Sequence, residues 1–236
     1  MKNFINITIA FILGLAVNAQ TGIQTGGGGF QIFTKASDMG QRYNSLGLTD
    51  SQFNSIKSGM YANMNFIHGN IFENGEKIAA DLPMRYNAYT DDIEVKLKSS
   101  DANFQPLKKI PNLSVKTPLD YYIFLEDNGK KEESGFVNVL VDGDQYKLYK
   151  KITVSFQPAA KGRTSYESDT PASFKQNIFY YLVHDGNLME VPNSKGKIID
   201  FLDKENSKMK DYIKKNKIDV RNEAGLIKAI SHLESL

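Results

Sequence analysis

The sequence predicts an α+β fold. The expected architecture is an antiparallel β-meander sheet of roughly six to nine strands, curled or sandwich-like, with two C-terminal helices packed on it. Three observations point there. Apolar residues alternate with a period of two through the middle of the chain. Asn-Gly and Asp-Gly pairs punctuate those runs, and such pairs take the positive φ angles of two-residue hairpins. From about residue 197 onward the apolar spacing becomes helical.

Residues 1–19 read as a secretory signal peptide. Lys2 supplies the positive start, Ile5 to Leu15 the apolar stretch, and Val17-Asn18-Ala19 the small-residue ending, with cleavage before Gln20. The apolar run is too short for a stable membrane span, and no later segment is long and apolar enough to make one. An exported protein is therefore expected, with no transmembrane segment in the mature chain. Residues 20–48 read as a flexible neck, because ordering the Gly26–Gly29 run costs much backbone entropy.

A β-rich domain is expected over residues 49–193. Thr49-Asp50-Ser51-Gln52 has the pattern of a capping box, and Gly59 can close the short helix that follows. Strands are expected around Met84 and Tyr86, at Ile93-Val95-Leu97, Leu119–Leu125, Val137–Val141, Ile152–Phe156 and Phe179–Val183. Turns are expected at Asn74-Gly75, Asn128-Gly129, Asp142-Gly143 and Asp185-Gly186. Such short turns pair neighbouring strands in sequence order, which favours a meander over crossover connections. Residues 99–118 and 157–173, with their prolines, read as irregular connections. Residues 194–236 read as helices on the same domain. One spans about Lys197 to Lys215, and a second is capped by Asn222 and carries Leu226, Ile227, Ile230 and Leu233.

Composition excludes several function classes. The 236 residues are 41% hydrophobic and 24% charged, which is ordinary for a globular chain. There is no cysteine, so thiolate catalysis, cysteine-ligated metals and disulfides are impossible. Net charge is only +2, which offers no electrostatic reason to bind nucleic acid. No cofactor is expected. His68, His184 and His232 are far apart in sequence and lack metal-ligand spacing, so no metal site is expected either. Asp91, Asp92 and Glu94 form an acidic cluster better explained by a solvated strand edge than by calcium. Ser207-Lys208-Met209-Lys210 matches Ser-x-x-Lys but has no companion motif.

The stretches Gly59-Met60-Tyr61 and Leu82-Pro83-Met84-Arg85-Tyr86-Asn87-Ala88-Tyr89-Thr90-Asp91-Asp92-Ile93-Glu94, with Tyr212–Lys217 and Leu226-Ile227, resemble a group of uncharacterised exported proteins of Bacteroidetes-type bacteria. The resemblance implies a β-rich envelope protein, periplasmic or associated with the outer membrane. It supplies no activity.

Read from the residues, Asn87–Asp91 fits a turn, and Arg85 can pair with Asp92 or Glu94 across the hairpin. If the chain has a binding site, Arg85, Asn87, Tyr89, Asp92 and Glu94 are the candidates, and no catalytic residue is assigned. The leading functional reading is a non-catalytic secreted module that binds another protein, such as an envelope or outer-membrane protein. It predicts an exposed apolar patch or an open sheet edge. A small-molecule or lipid-binding protein would instead need an enclosed apolar cavity. A hydrolase would need His68 or His184 beside a carboxylate in a cleft.

Overall fold

A computed structural model describes residues 32–34, 46–126, 134–164 and 166–236. The expected signal peptide, the glycine run and the Asn128-Gly129 turn lie outside these residues. Among the described residues, no helix is long and apolar enough to cross a membrane.

The fold is α+β, as the alternation predicts. Helix α1 (Asp50–Ile56) opens the domain, and a 3-10 turn (Lys57–Met60) follows it. The Thr49 side chain accepts the Gln52 N–H while the Gln52 side chain accepts the Thr49 N–H, which completes the capping box. Then come β1 (Ile67–Glu73), β2 (Glu76–Asn87), β3 (Asp92–Val95), β4 (Gln105–Pro106), β5 (Leu113–Lys116) and β6 (Tyr121–Leu125). They are followed by β7 (Gly135–Asp142), β8 (Tyr146–Gln157), β9 (Ser173–His184) and β10 (Asn187–Glu190). Helices α2 (Lys195–Glu205), α3 (Met209–Lys215) and α4 (Glu223–Glu234) close the chain.

All ten strands join one open sheet in the order β10-β9-β8-β7-β6-β5-β1-β2-β3-β4, and every pairing is antiparallel. The meander departs from sequence order once, where β5 pairs with β1 rather than β4. The strands exceed the expected number because residues 99–118 hold β4 and β5, two elements too short for alternation to reveal. Ile32–Thr34, inside the expected neck, pair beyond β4: Phe33 bridges Leu107 and the Thr34 N–H donates to Pro106 O (2.8 Å).

The turns follow two designs. Asn74-Gly75 (φ 51° and 83°) and Asp185-Gly186 (φ 49° and 74°) place both residues in the left-handed region, as two-residue hairpins require. The β7–β8 turn at Asp142-Gly143 has no such residues. It is held instead from α4. The Glu234 carboxylate accepts the N–H groups of Asp144 (2.7 Å), Gln145 (3.2 Å) and Tyr146 (2.6 Å). A Cβ on Gly143 would lie 2.3 Å from that carboxyl carbon. These N–H groups hold Glu234 below its ordinary value of 4.5. Its contribution is therefore present above that value and lost as the pH falls below it. In a Glu234→Ala variant, amide exchange at Asp144–Tyr146 and along α4 is expected to accelerate; unchanged rates would show that the carboxylate holds nothing.

Two apolar cores hold the layers together. The sheet curls so that β2 approaches β8. Inside the curl lie Ile71, Met84, Tyr86, Ile93, Val95, Leu113, Val115, Tyr122, Phe136 and Ile152. On the same face of β7–β9, Leu148 and Leu182 pack against Ile198, Leu202, Met209, Ile213, Leu226, Ile230 and Leu233 of the helices. The helical run expected from 197 to 215 breaks at Asn206, whose extended backbone ends α2. The apolar period survives the break, so Leu202 and Met209 are both fully buried. Asn222 caps α4 by accepting the Gly225 N–H (2.8 Å).

Candidate functional site

The β2–β3 hairpin has the expected form. Arg85 stands directly opposite Glu94, and Asn87 opposite Asp92. Asn87 Oδ1 accepts the N–H groups of Tyr89 (3.1 Å) and Thr90 (3.3 Å), and Asp91 takes φ 54°, which closes the turn. Arg85 and Glu94 then form a buried ion pair, Nε to Oε2 at 2.7 Å. The other Glu94 oxygen accepts Asn87 Nδ2–H (2.8 Å). Glu94 is wholly buried, and burial pushes its carboxyl above the ordinary range despite Arg85 beside it.

The rest of the guanidinium is engaged as well. Nη1 donates to Met64 O (2.9 Å) and Nη2 to Tyr61 Oη (2.9 Å). Its carbon lies 3.9 Å from the Tyr61 ring centre and 4.3 Å from that of Phe66, a geometry favourable to a cation. A ligand carboxylate would have to displace Glu94 from this cage. The hairpin thus brings Arg85, Asn87 and Glu94 together as a closed internal unit. It does not bring in Tyr89, whose ring packs edge-on against Phe174 at 4.9 Å. Asp92, opposite Asn87, pairs with Lys109 (3.3 Å), and its charge adds to the upward push on Glu94.

The acidic cluster is not a solvated edge: Asp92 and Glu94 are buried and Asp91 is half-buried. Asp91 lies where the curled sheet meets itself. Its Oδ1 accepts from Tyr86 Oη (2.8 Å) and the Phe136 N–H (3.0 Å), tying the β2–β3 turn to β7. Lys151, 5% exposed, donates to Ser134 O and faces Asp91. Burial pushes Asp91 and Tyr86 up and Lys151 down, because each charged form loses water that its neighbours only partly replace. Sequence reasoning missed Lys151 because its partner comes from a distant hairpin. Arg85 also lines an open cleft, with Asn63, Asn65, Thr117 and Asp120 as its other polar walls and Ile67, Met84, Ile93 and Val115 as apolar ones, that measures about 330 Å³ with its open solvent included.

Two histidines stand beside carboxylates. His68 Nδ1 is 2.8 Å from Asp81 Oδ1, and His184 Nδ1 is 2.9 Å from Glu205 Oε2. His232 stacks on Tyr212. No cluster among the described residues could hold a metal ion.

The sheet face opposite the helices carries an apolar strip. Val137, Tyr149 and Tyr181 form its buried centre, with half-buried Ile123, Leu125, Val139, Phe179, Val183 and Leu188 around them. Every member comes from a strand, and the strip crosses from β6 to β10. Strand β10 ends the sheet, pairing only with β9 among the described residues. Set against known protein families, curated proteins and solved structures, the chain matches none, so the site is read from its own residues.

Proposed function

We propose that this chain is an exported protein of the cell envelope, at the periplasm or outer membrane, that binds another envelope protein. One observation carries the reading: the apolar strip that runs across the sheet and out to the open edge at β10. An edge strand offers unpaired backbone donors and acceptors to an added strand. Leu188 on β10 belongs to the strip, so an extended partner segment with alternating apolar residues would lengthen both the ladder and the apolar face. Export is supported by the signal-like residues 1–19 and by the resemblance described above.

Leu188→Lys tests this. The tagged mature protein is captured from solubilised envelopes alongside the variant, and both are checked for equal thermal stability. The expected result is a stoichiometric partner with the wild-type chain that the variant loses. Recovery of the chain alone, or of the same partner with both, would overturn the reading.

A further inference from the structure

We propose a second, catalytic surface, an acyl-ester hydrolase site formed by Ser99, His68 and Asp81. It lies apart from the docking face and does not depend on it.

The argument begins with the histidine's two nitrogens. His68 projects from β1 beside Asp81 of β2. Its Nδ1 is 2.8 Å from Asp81 Oδ1 and 3.1 Å from Asp81 O, both of them acceptors. A proton on Nδ1 is the state these two oxygens favour, which leaves Nε2 with its lone pair free. That lone pair faces Ser99 Oγ at 3.5 Å. A hydroxyl, a base and an orienting carboxylate therefore stand in the sequence that nucleophilic catalysis needs, each on the correct ring nitrogen. The Ser99 contact is loose, as such contacts often are before substrate binds.

The backbone supports the arrangement on both sides. Asp81 takes φ 54° inside a strand, and Asn70 Oδ1 accepts its N–H (3.2 Å) opposite an irregularity in the β1–β2 ladder. An aspartate in the left-handed region is held there by the local structure around it. Ser99 stands at the tip of a turn closed twice between Lys98 and Asp101: the Asp101 N–H donates to Lys98 O (3.0 Å), and the Lys98 N–H to Asp101 Oδ2 (2.9 Å). The other histidine pair lacks this set. His184 Nε2 faces a second carboxylate, that of Asp185 (3.6 Å).

The step balances with water as the only co-reactant. Ser99 Oγ bonds to the ester carbonyl carbon as its proton passes to His68 Nε2. The ester C–O bond breaks, and the departing alcohol takes that proton. Water then attacks the acyl-serine, giving its proton back through His68, and a carboxylic acid leaves. Half of the His68 side-chain surface and most of that of Asp81 are open to solvent. The site therefore has no deep pocket to select a long acyl chain. It fits small, accessible acyl esters with good leaving groups, and turnover is slow because water is not excluded.

The test uses the purified chain with p-nitrophenyl acetate and, separately, a fluorophosphonate probe followed by peptide mass spectrometry. The expected result is a single phosphonylated residue, Ser99. Hydrolysis and labelling should both fall at least about a hundredfold in Ser99→Ala and His68→Ala, the scale of a lost general base. His184→Ala should retain both. Ser99 is exposed, so its alanine variant should melt with the wild type. No label, a label elsewhere, or full hydrolysis in Ser99→Ala would overturn the proposal.

Discussion

Replacing Arg85 by alanine is expected to destabilise the protein by about 3–5 kcal/mol at neutral pH, the range for breaking one side of a buried ion pair. The loss arises mainly from what remains. Glu94 would stay wholly buried, keeping only the Asn87 amide as a donor. Its carboxyl already sits above its ordinary value of 4.5 through burial. Without the guanidinium it rises further. A group raised in the folded state binds its proton more tightly there than in the unfolded chain, so folding is favoured at low pH and penalised as the pH rises past the unfolded value. The cost of Arg85→Ala should therefore be largest near pH 7 and shrink toward pH 4.5. Urea titrations at the two pH values measure this. Equal losses at both would mean that ring packing on Tyr61 and Phe66, rather than charge, holds the hairpin. Arg85→Met combined with Glu94→Gln should recover most of the stability, since it removes both charges together.

Gly135→Ala is the second large effect expected, a loss of about 3 kcal/mol or more from backbone strain joined to a steric clash that displaces Asp91 and Lys151. Gly135 sits at φ 106°, and a Cβ there would lie 2.2 Å from Asp91 Oδ2 and 2.7 Å from Lys151 Nζ. The methyl group would occupy the space in which the curled sheet is pinned to itself. Gly75→Ala is the matching control. It also has a positive φ, 83°, but no atom lies within 4 Å of its Cβ. It should therefore cost only the backbone term, about 1 kcal/mol. Amide exchange at Phe136, whose N–H is held by Asp91, should rise in Gly135→Ala and stay slow in Gly75→Ala. Equal losses from the two glycines would mean that the pin contributes nothing beyond φ.

What could be read from the sequence was what lies close along the chain. Alternation located β3, β6, β7, β8 and β9, and the Asn87–Asp91 turn narrowed the partner of Arg85 to Asp92 or Glu94, between which only the hairpin's register decides for Glu94. Strand β1 escaped because His68, Gly69 and Asn70 interrupt its apolar pattern, and β5 because four residues between Pro111 and Pro118 are too few. The closure of Asp91 with Phe136 and Lys151 depends on the curl, while the ring cage around Arg85 and the meeting of Ser99 with His68 join residues far apart in sequence. Curl is a property of the assembled sheet, and no local window reports it. The helix break at Asn206 was hidden for the opposite reason: the apolar period runs through it unbroken.

Pairing in this sheet is almost entirely between neighbours in sequence, and one seam departs from that. Asn70–Glu73 of β1 zip to Leu113–Lys116 of β5, and that ladder joins β1–β4 to β5–β10. Loops that close early are entropically cheap, so each group of strands can assemble rapidly on its own, with docking along the seam as the slower step. A chain caught before that step would present two matching edges. At high concentration those edges could be satisfied by a neighbour's complementary half, producing strand-exchanged dimers. The link from β4 to β5, residues 107–112, is short and contains Pro111, which limits how far the halves can swing apart. Refolding yield should therefore respond to protein concentration most strongly in variants that lengthen this link.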